Sequence, residues 1–126
     1  MFRDDQGPIE CFEWGEFTIS GTVHKKGAGA GKDIRLIGTE VSEWAERQGH
    51  ILTPDMVTGV YGIGLEILVI GNGVDQLLDC PEGVRQEIAS HGIPELRILA
   101  TPGACRTYNE LFRQGRRVAL LAHGTC

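Results

Sequence analysis

Three short runs in the C-terminal half of the chain are almost entirely apolar. They are Ile67–Ile70, Leu96–Ala100 and Val118–Ala122, and residues typical of turns flank them. A strand covered on both faces has a continuous apolar sequence, whereas a strand with one wet face alternates apolar and polar residues. The three runs therefore predict neighbouring parallel strands buried in one sheet.

Amphipathic segments that start at proline and stop at glycine separate these runs. Cys80-Pro81 and Gly92 bound one segment, and Thr101-Pro102 and Gly115 bound the next. Proline is favoured in the first turn of a helix and glycine just past its end. The second segment also has an apolar stripe at helical spacing, formed by Ala104, Tyr108, Leu111 and Phe112. Alternating strands and helices predict an α/β fold with a mostly parallel sheet.

The N-terminal half predicts a different kind of strand. Residues Phe17–His24 alternate apolar and polar side chains, which indicates one half-buried strand. After a glycine-rich loop, Ile34–Ile37 predicts the returning strand of a hairpin, and Thr53-Pro54 begins a short helix. We expect one domain over residues 1–126, with 1–16 as a lead-in, because this length suits a single core.

The charge and cysteine content narrow the class of protein. The formal net charge is −5 and no basic block exceeds two residues, so we expect no nucleic-acid partner. No apolar run approaches the roughly 20 residues that span a bilayer, so we expect no membrane segment. The four cysteines are far apart and follow no secretory segment, which predicts free thiols and a cytoplasmic protein.

Two glycine motifs suggest phosphate binding, and neither is complete. At Gly31-Lys32 the next residue is Asp33, where a phosphate loop needs Ser or Thr, and the following segment predicts a strand in place of a helix. After Gly71-Asn72-Gly73, Gln76 occupies the position of the third glycine of a dinucleotide fingerprint. We therefore predict no cofactor.

The carboxyl ends of the three buried strands are the best candidate site, because ligands of such sheets bind there. Cys105 lies in the first turn of the following helix, where the helix dipole lowers a thiol pKa, and His123 can act as a base. On this interpretation Cys105 reacts with a thiol reagent faster than Cys11. The candidate ligand-binding residues are Gly71, Asn72, Gly73, Thr101, Cys105, Asn109 and His123.

A structural interpretation of the same residues stays open. Thr101 can cap the helix, the glycines can form turns, and Cys105 can pack as a small apolar side chain. Trp44 and His50 are each compatible with a structural or a binding role. The spacing of the cysteines and histidines matches no pair of metal ligands, so we predict no metal site.

The sequence resembles the Mth-type domain family. The resemblance rests on four segments, 68–73, 81–93, 100–111 and 115–126, together with Trp44, Gly49-His50 and the 52–54 segment. It implies a three-layer α/β sandwich with a central, mostly parallel sheet of Rossmann-like topology and extra strands from the N-terminal part. It also implies that no enzymatic activity is established, although some members act through other proteins in assembling mitochondrial complex I. No transit segment precedes this domain, so we expect a cytoplasmic relative.

Two classes of function follow. The first is a non-catalytic interaction or assembly-type domain, in which exposed apolar residues near the Trp14 and Tyr61 loops meet another protein or a second copy of the chain. The second is a small-molecule site or enzyme at the strand ends.

Overall fold

The computed structural model describes residues 1–126 and contains two β-sheets. The smaller sheet is antiparallel, and its four strands pair in chain order. They are β1 (Phe2–Arg3), β2 (Ile9–Glu13), β3 (Glu16–Ile19) and β4 (Thr22–Lys25). The segment 1–16 thus supplies two strands, and it buries the side chains of Phe2, Ile9 and Phe12.

A tight turn breaks the strand that the alternating pattern predicts over Phe17–His24. Ser20 and Gly21 both have positive φ, 47° and 83°, and Ile19 pairs with Thr22 across them. This is the two-residue hairpin turn whose twist matches that of the flanking strands. The single-strand prediction is wrong because glycine fits the apolar half of the alternation, so the pattern continues through the turn.

The larger sheet has five strands, and four of them run in one direction. Its strands are β5 (Asp33–Ile37), β6 (Glu40–Glu43), β7 (Ile67–Gly71), β8 (Glu95–Leu99) and β9 (Val118–His123). Their order is β6-β5-β9-β7-β8, with β9, β7 and β8 parallel and β5 antiparallel to both of its neighbours. The prediction of three adjacent parallel strands is confirmed.

Strand β5 does not return alongside the N-terminal strand, so the predicted hairpin of Phe17–His24 with Ile34–Ile37 is wrong. The β5 residues pair with β9 and β6 in the larger sheet. The N-terminal hairpin is already complete within the smaller sheet, because β3 and β4 pair with each other.

The larger sheet is covered on both faces. Ile67 and Val69 of β7 pack toward helix α2 (Thr101–Arg113) and the smaller sheet. Leu68 and Ile70 of the same strand pack toward Trp44, the 3₁₀ helix Pro54–Val60 and helix α1 (Glu82–Ser90). Burial on both faces explains the continuous apolar runs. None of the helices combines the length and the apolar character needed to cross a membrane.

Candidate functional site

Thr101 joins the carboxyl ends of all three parallel strands. Its hydroxyl donates to the carbonyl of His123, the last residue of β9, at 2.7 Å and accepts from the amide of Gly73, after β7, at 3.0 Å. Its own amide donates to the carbonyl of Gly73, and its side chain is fully buried. Helix α2 is capped at Ala100 with no side-chain cap, so the interpretation of Thr101 as a capping residue is wrong. The three loops converge as predicted.

The glycines of this rim allow a close approach that no other residue permits. A Cβ at Gly73 would overlap the backbone carbonyl of Cys126 and lie 3.2 Å from the His123 ring, and Gly73 also has φ +102°. A Cβ at Gly71 would lie 3.0 Å from the Thr101 hydroxyl. The prediction that these glycines bring other groups close to the backbone is confirmed.

Asp33, at the start of β5, orients His123. The His123 Nδ1 lies 2.8 Å from Oδ1 of Asp33, and His123 is only 2% exposed. Burial raises the pKa of Asp33, but hydrogen bonds from His123, Lys32 and the Gly124 amide, with the charge of Arg47, outweigh it and hold the pKa well below its ordinary value. The carboxylate is therefore ionised and can accept a hydrogen bond from Nδ1, an arrangement that turns Nε2 toward the rim as the ligand or base atom.

Two further donor atoms meet His123 at this rim. Nε2 of His50 lies 3.1 Å from Sγ of Cys126, and Nε2 of His123 lies 3.8 Å from the same sulfur. One potential ligand atom from each of the three residues falls within 4.8 Å of the other two. His50 is exposed and Cys126 half-buried, so the group is open to solvent on one side.

The loop after β7 places His50 and Cys126 beside each other. The carbonyl of His50 accepts from the amide of Asp79 at 2.8 Å, and the carbonyl of Cys126 accepts from the amide of Leu77 at 3.1 Å. Backbone hydrogen bonds therefore hold both residues against one loop, 72–79. Sequence reasoning does not select Cys126, His50 or Asp33 as site residues. The only local signal is that His123 and Cys126 both come after the buried apolar run Val118–Ala122.

The structure places the Cys105 side chain in the core and not at the site. Its side chain is fully buried in the core between α2 and the larger sheet, and burial raises the thiol pKa far above its ordinary value. The prediction of an activated Cys105 thiolate is wrong, because loss of hydration outweighs the helix dipole in this setting.

The two asparagines of the candidate set lie apart. Asn109 is fully buried and anchors the smaller sheet: Oδ1 accepts from the Ile9 amide at 3.0 Å, and Nδ2 donates to the Ile9 carbonyl at 2.8 Å. Nδ2 also lies 3.1 Å from a carboxylate oxygen of Asp4. Asn72 stays at the rim, half-buried, and its Oδ1 has no hydrogen-bond partner.

Four side chains at the rim, those of Asp33, His50, His123 and Cys126, support two kinds of chemistry. Cys126, His123 and Asp33 stand in the order of a nucleophile, its base and the residue that orients the base. The second imidazole, His50, is closer to the sulfur than His123 is, at 3.1 Å against 3.8 Å. One thiol between two imidazoles is a set of metal ligands, whereas a nucleophile needs only one base. Metal binding therefore uses more of the observed geometry.

Comparisons with known proteins agree on the fold. An outer membrane protein from Bartonella henselae shares 27% identity, with 99% of this chain and 98% of that chain covered and a TM-score of 0.77. The conserved hypothetical protein PH1505 from Pyrococcus horikoshii OT3 shares 19% identity over 94% and 98% of the two chains, also with a TM-score of 0.77. A Bordetella pertussis protein that is a Mth938-like domain shares 19% identity over 92% and 84%, with a TM-score of 0.61.

The family assignment rests on the sequence as a whole. The family model described as a protein of unknown function (DUF498/DUF598) matches residues 9–123, from β2 to the last residue of β9. The predicted resemblance to Mth-type domains is confirmed by this match and by the Mth938-like neighbour. The chain belongs to the DUF498/DUF598 family of proteins of unknown function and has the Mth938-like fold.

Proposed function

We propose that this domain binds a thiophilic divalent transition metal, with Zn²⁺ as the reference ion, through His50, His123 and Cys126. The observation that carries the proposal is the meeting of three donor atoms within 4.8 Å at the carboxyl rim of the sheet. The proposal keeps the predicted location of a ligand site, replaces Cys105 by Cys126 as its thiol, and departs from the prediction of no metal site.

The distances suit tetrahedral coordination. Usual zinc bond lengths place a sulfur ligand and a nitrogen ligand about 3.6 Å apart. The two distances from the Cys126 sulfur, 3.1 Å to His50 and 3.8 Å to His123, fall on either side of that value. At 3.1 Å, Nε2 of the exposed His50 is about 0.5 Å closer to the sulfur than that spacing, so binding an ion requires a movement of its side chain.

The contact of Asp33 with His123 also supports the proposal. A metal-ligating histidine usually donates its other ring N–H to a carboxylate, which fixes the tautomer and increases ligand basicity. The 2.8 Å contact of His123 with Asp33 is that arrangement. Lys32 and Arg47 hold the far oxygen of Asp33 at 2.8 and 3.3 Å, so the carboxylate is fixed before any ion binds.

The ligand set selects the kind of ion. A thiolate and two imidazoles favour zinc, copper or cobalt, whereas calcium and magnesium need oxygen ligands. Three protein ligands leave a fourth tetrahedral position, which water or a substrate can occupy, as in catalytic zinc sites. The exposed side of the cluster at His50 gives the ion a route of entry.

Cobalt is the sharpest probe, because Co²⁺ bound by a thiolate has a charge-transfer band that an ion bound by histidine alone lacks. We expect the full-length protein to bind one equivalent of Co²⁺ with this band, and Zn²⁺ to displace it. Cys126→Ser should abolish the band, and His50→Ala should weaken binding at least about tenfold. Asp33→Asn should weaken binding by about 10- to 100-fold, the usual range for an outer-shell partner.

Two variants serve as controls. Cys11→Ser removes a half-buried thiol outside the cluster, and His91→Ala removes a histidine that stacks on Tyr61 at 3.9 Å between ring centroids. Neither should change the band or the affinity. A missing thiolate band, or an equal loss in Cys11→Ser and Cys126→Ser, would refute the proposal.

Protein interaction is a second candidate function, and exposed apolar side chains support it. Trp14 and Ile63 are 53% and 46% exposed, at the two loops where the sequence predicts an interaction surface. Ile51 and Leu77, 62% and 54% exposed, flank His50 and the loop that holds Cys126. Such residues suit contact with another protein or a second copy of the chain, including an assembly-type role.

Sedimentation and co-purification test this candidate. Replacing Ile51 and Leu77 by serine should dissociate a self-association, or release a co-purified partner, without lowering the melting temperature. Replacing Trp14 alone tests the other surface. Retention of the partner by both variants would exclude these surfaces. A cytoplasmic location remains part of the proposal, and four free cysteines support it because thiols persist in reducing compartments.

A further inference from the structure

All three lysines of the chain lie along one groove. They are Lys25, Lys26 and Lys32. The groove consists of two cavities of about 310 and 300 Å³ that share Lys26 and Lys32. Arg47 lines the first cavity and Trp14 the second. All the lysine side chains of a chain with a net charge of −5 therefore lie at these two cavities.

Lys26 is the free cation of the groove. Lys32 and Arg47 are paired with Asp33, and Lys25 lies 3.7 Å from a carboxylate oxygen of Glu16. Lys26 forms no ion pair, although it borders both cavities. Carboxylates also line the cavities: Asp33 and the unpaired Glu43 in the first, and Glu16 in the second. Cations outnumber carboxylates in both cavities, and an anion at Lys26 does not have to break an ion pair.

Backbone donors add to this charge. Gly27 and Lys32 line the first cavity, and their amides donate no hydrogen bond within the protein. The loop that carries them is already fixed, because the amide of Ala30 donates to Nδ1 of His24 at 2.9 Å and His24 is buried. Fixed amides beside lysine ammonium groups form the kind of concavity that binds oxyanions.

We infer that this groove binds a small phosphate-bearing metabolite, with the phosphate at Lys26 and the amides of Gly27 and Lys32. The exposed ring of Trp14, 53% accessible, offers a flat apolar face for the rest of the ligand. The size of the cavities and the negative net charge favour a small ligand over a polyanion.

The groove adjoins the proposed metal site without depending on it. Asp33 lines the first cavity and contacts His123, and Thr125, next to Cys126, lines the second. A ligand held in the groove lies beside the rim cluster. Cys126 and His50 line neither cavity, so phosphate binding and metal binding can fail separately.

The lysines themselves report on binding. Reductive methylation with ¹³C labels them and keeps their charge, and three lysine signals allow each position to be followed by NMR. We expect inorganic phosphate to shift the signals of Lys26 and Lys32 saturably, and AMP to bind more tightly than phosphate. Lys26→Gln should weaken both ligands at least tenfold, whereas Trp14→Ala should remove only the advantage of AMP.

Three controls make the test decisive. Arg106→Gln removes an exposed charge that lines neither cavity, and Cys126→Ser removes a metal ligand; both should leave phosphate binding unchanged. The inference would be overturned if the NMR shifts did not saturate with phosphate, or if Lys26→Gln and Arg106→Gln lost equal affinity. Either result would show that phosphate acts through nonspecific ionic screening. A single-stranded oligonucleotide that binds more tightly than AMP would overturn the assignment to a small ligand.

Discussion

Replacing Thr101 by valine tests whether one hydroxyl holds the three strand ends together. Valine keeps the shape of threonine and removes only the polar atom. The change leaves the amide of Gly73 and the carbonyl of His123 buried without the partner they have at 3.0 and 2.7 Å. Thr101 is 0% exposed, so water cannot replace the hydroxyl without a local opening.

The expected size of the effect follows from these two contacts. A buried polar group that loses its partner costs about 1–3 kcal/mol, so two such groups cost about 2–6 kcal/mol. For a chain of 126 residues, the average unfolding entropy converts 1 kcal/mol into about 4 °C. We therefore expect the melting temperature of Thr101→Val to fall by about 8–24 °C, measured by calorimetry and confirmed by urea unfolding.

Two substitutions isolate the hydroxyl. Thr101→Ser keeps it and loses one methyl group, so we expect a cost of only about 1 kcal/mol. Thr107→Val makes the same chemical change on the same helix, at a half-buried residue whose side chain forms no hydrogen bond, and should cost less than about 0.5 kcal/mol. If Thr101→Val melts within about 2 °C of the wild type, well inside the expected shift, or if Thr101→Ser is equally harmful, the reasoning is refuted.

Three further predictions concern other parts of the molecule. Asn109→Leu should lower the free energy of unfolding by about 2–4 kcal/mol, measured in urea, because it leaves the backbone groups of β2 unpaired. A maleimide should label Cys11 much faster than Cys105 in the folded protein, because Cys105 is fully buried with a raised pKa. Stability should fall as the pH drops below about 6.5, because burial lowers the pKa of His24 and unfolded His24 then takes up a proton that the folded form excludes.

Each of these predictions has its own control. The labelling contrast should disappear in urea, and equal rates under native conditions would contradict the burial of Cys105. His24→Asn keeps an acceptor for the Ala30 amide and removes the titration, so the stability difference from the wild type should change between pH 7 and 5. A constant difference would show that His24 does not contribute. Proteolysis near the N-terminus should accelerate in Asn109→Leu if Asn109 anchors β2, and an unchanged rate would contradict that role.

The sequence predicts the parallel core well because local pattern and tertiary burial agree there. Runs such as Val118–Ala122 have one explanation, a strand covered on both faces, and the proline and glycine signals bound the helices between them. The pattern fails at Ser20-Gly21, where the turn keeps the alternation of a strand. It fails again at Ile34–Ile37, because no local feature says which strand will be its partner.

The candidate site is predictable only in its location. The general preference of α/β sheets for binding ligands at the strand ends places it there, and His123, Gly73 and Thr101 lie at that rim as predicted. Its chemistry depends on contacts between distant parts of the chain: Asp33 meets His123 across 90 residues and His50 meets Cys126 across 76. Single-sequence patterns carry no information on such pairs, and Cys105 is near the rim in sequence while its side chain points into the core.

The reversed direction of β5 has a consequence for how this protein can change over evolution. Because β5 runs against β9, its first residue, Asp33, lies at the rim, while its last residue, Ile37, pairs near the other end of β9 with Ala119. Insertions in the β5–β6 connection therefore leave the carboxylate in place, whereas a change in length of the glycine-rich loop before β5 displaces it. We therefore expect homologues to vary more in the length of the β5–β6 connection than in the length of the glycine-rich loop. We also expect an exchange of residue 33 to alter the rim chemistry while the buried part of the strand keeps its register.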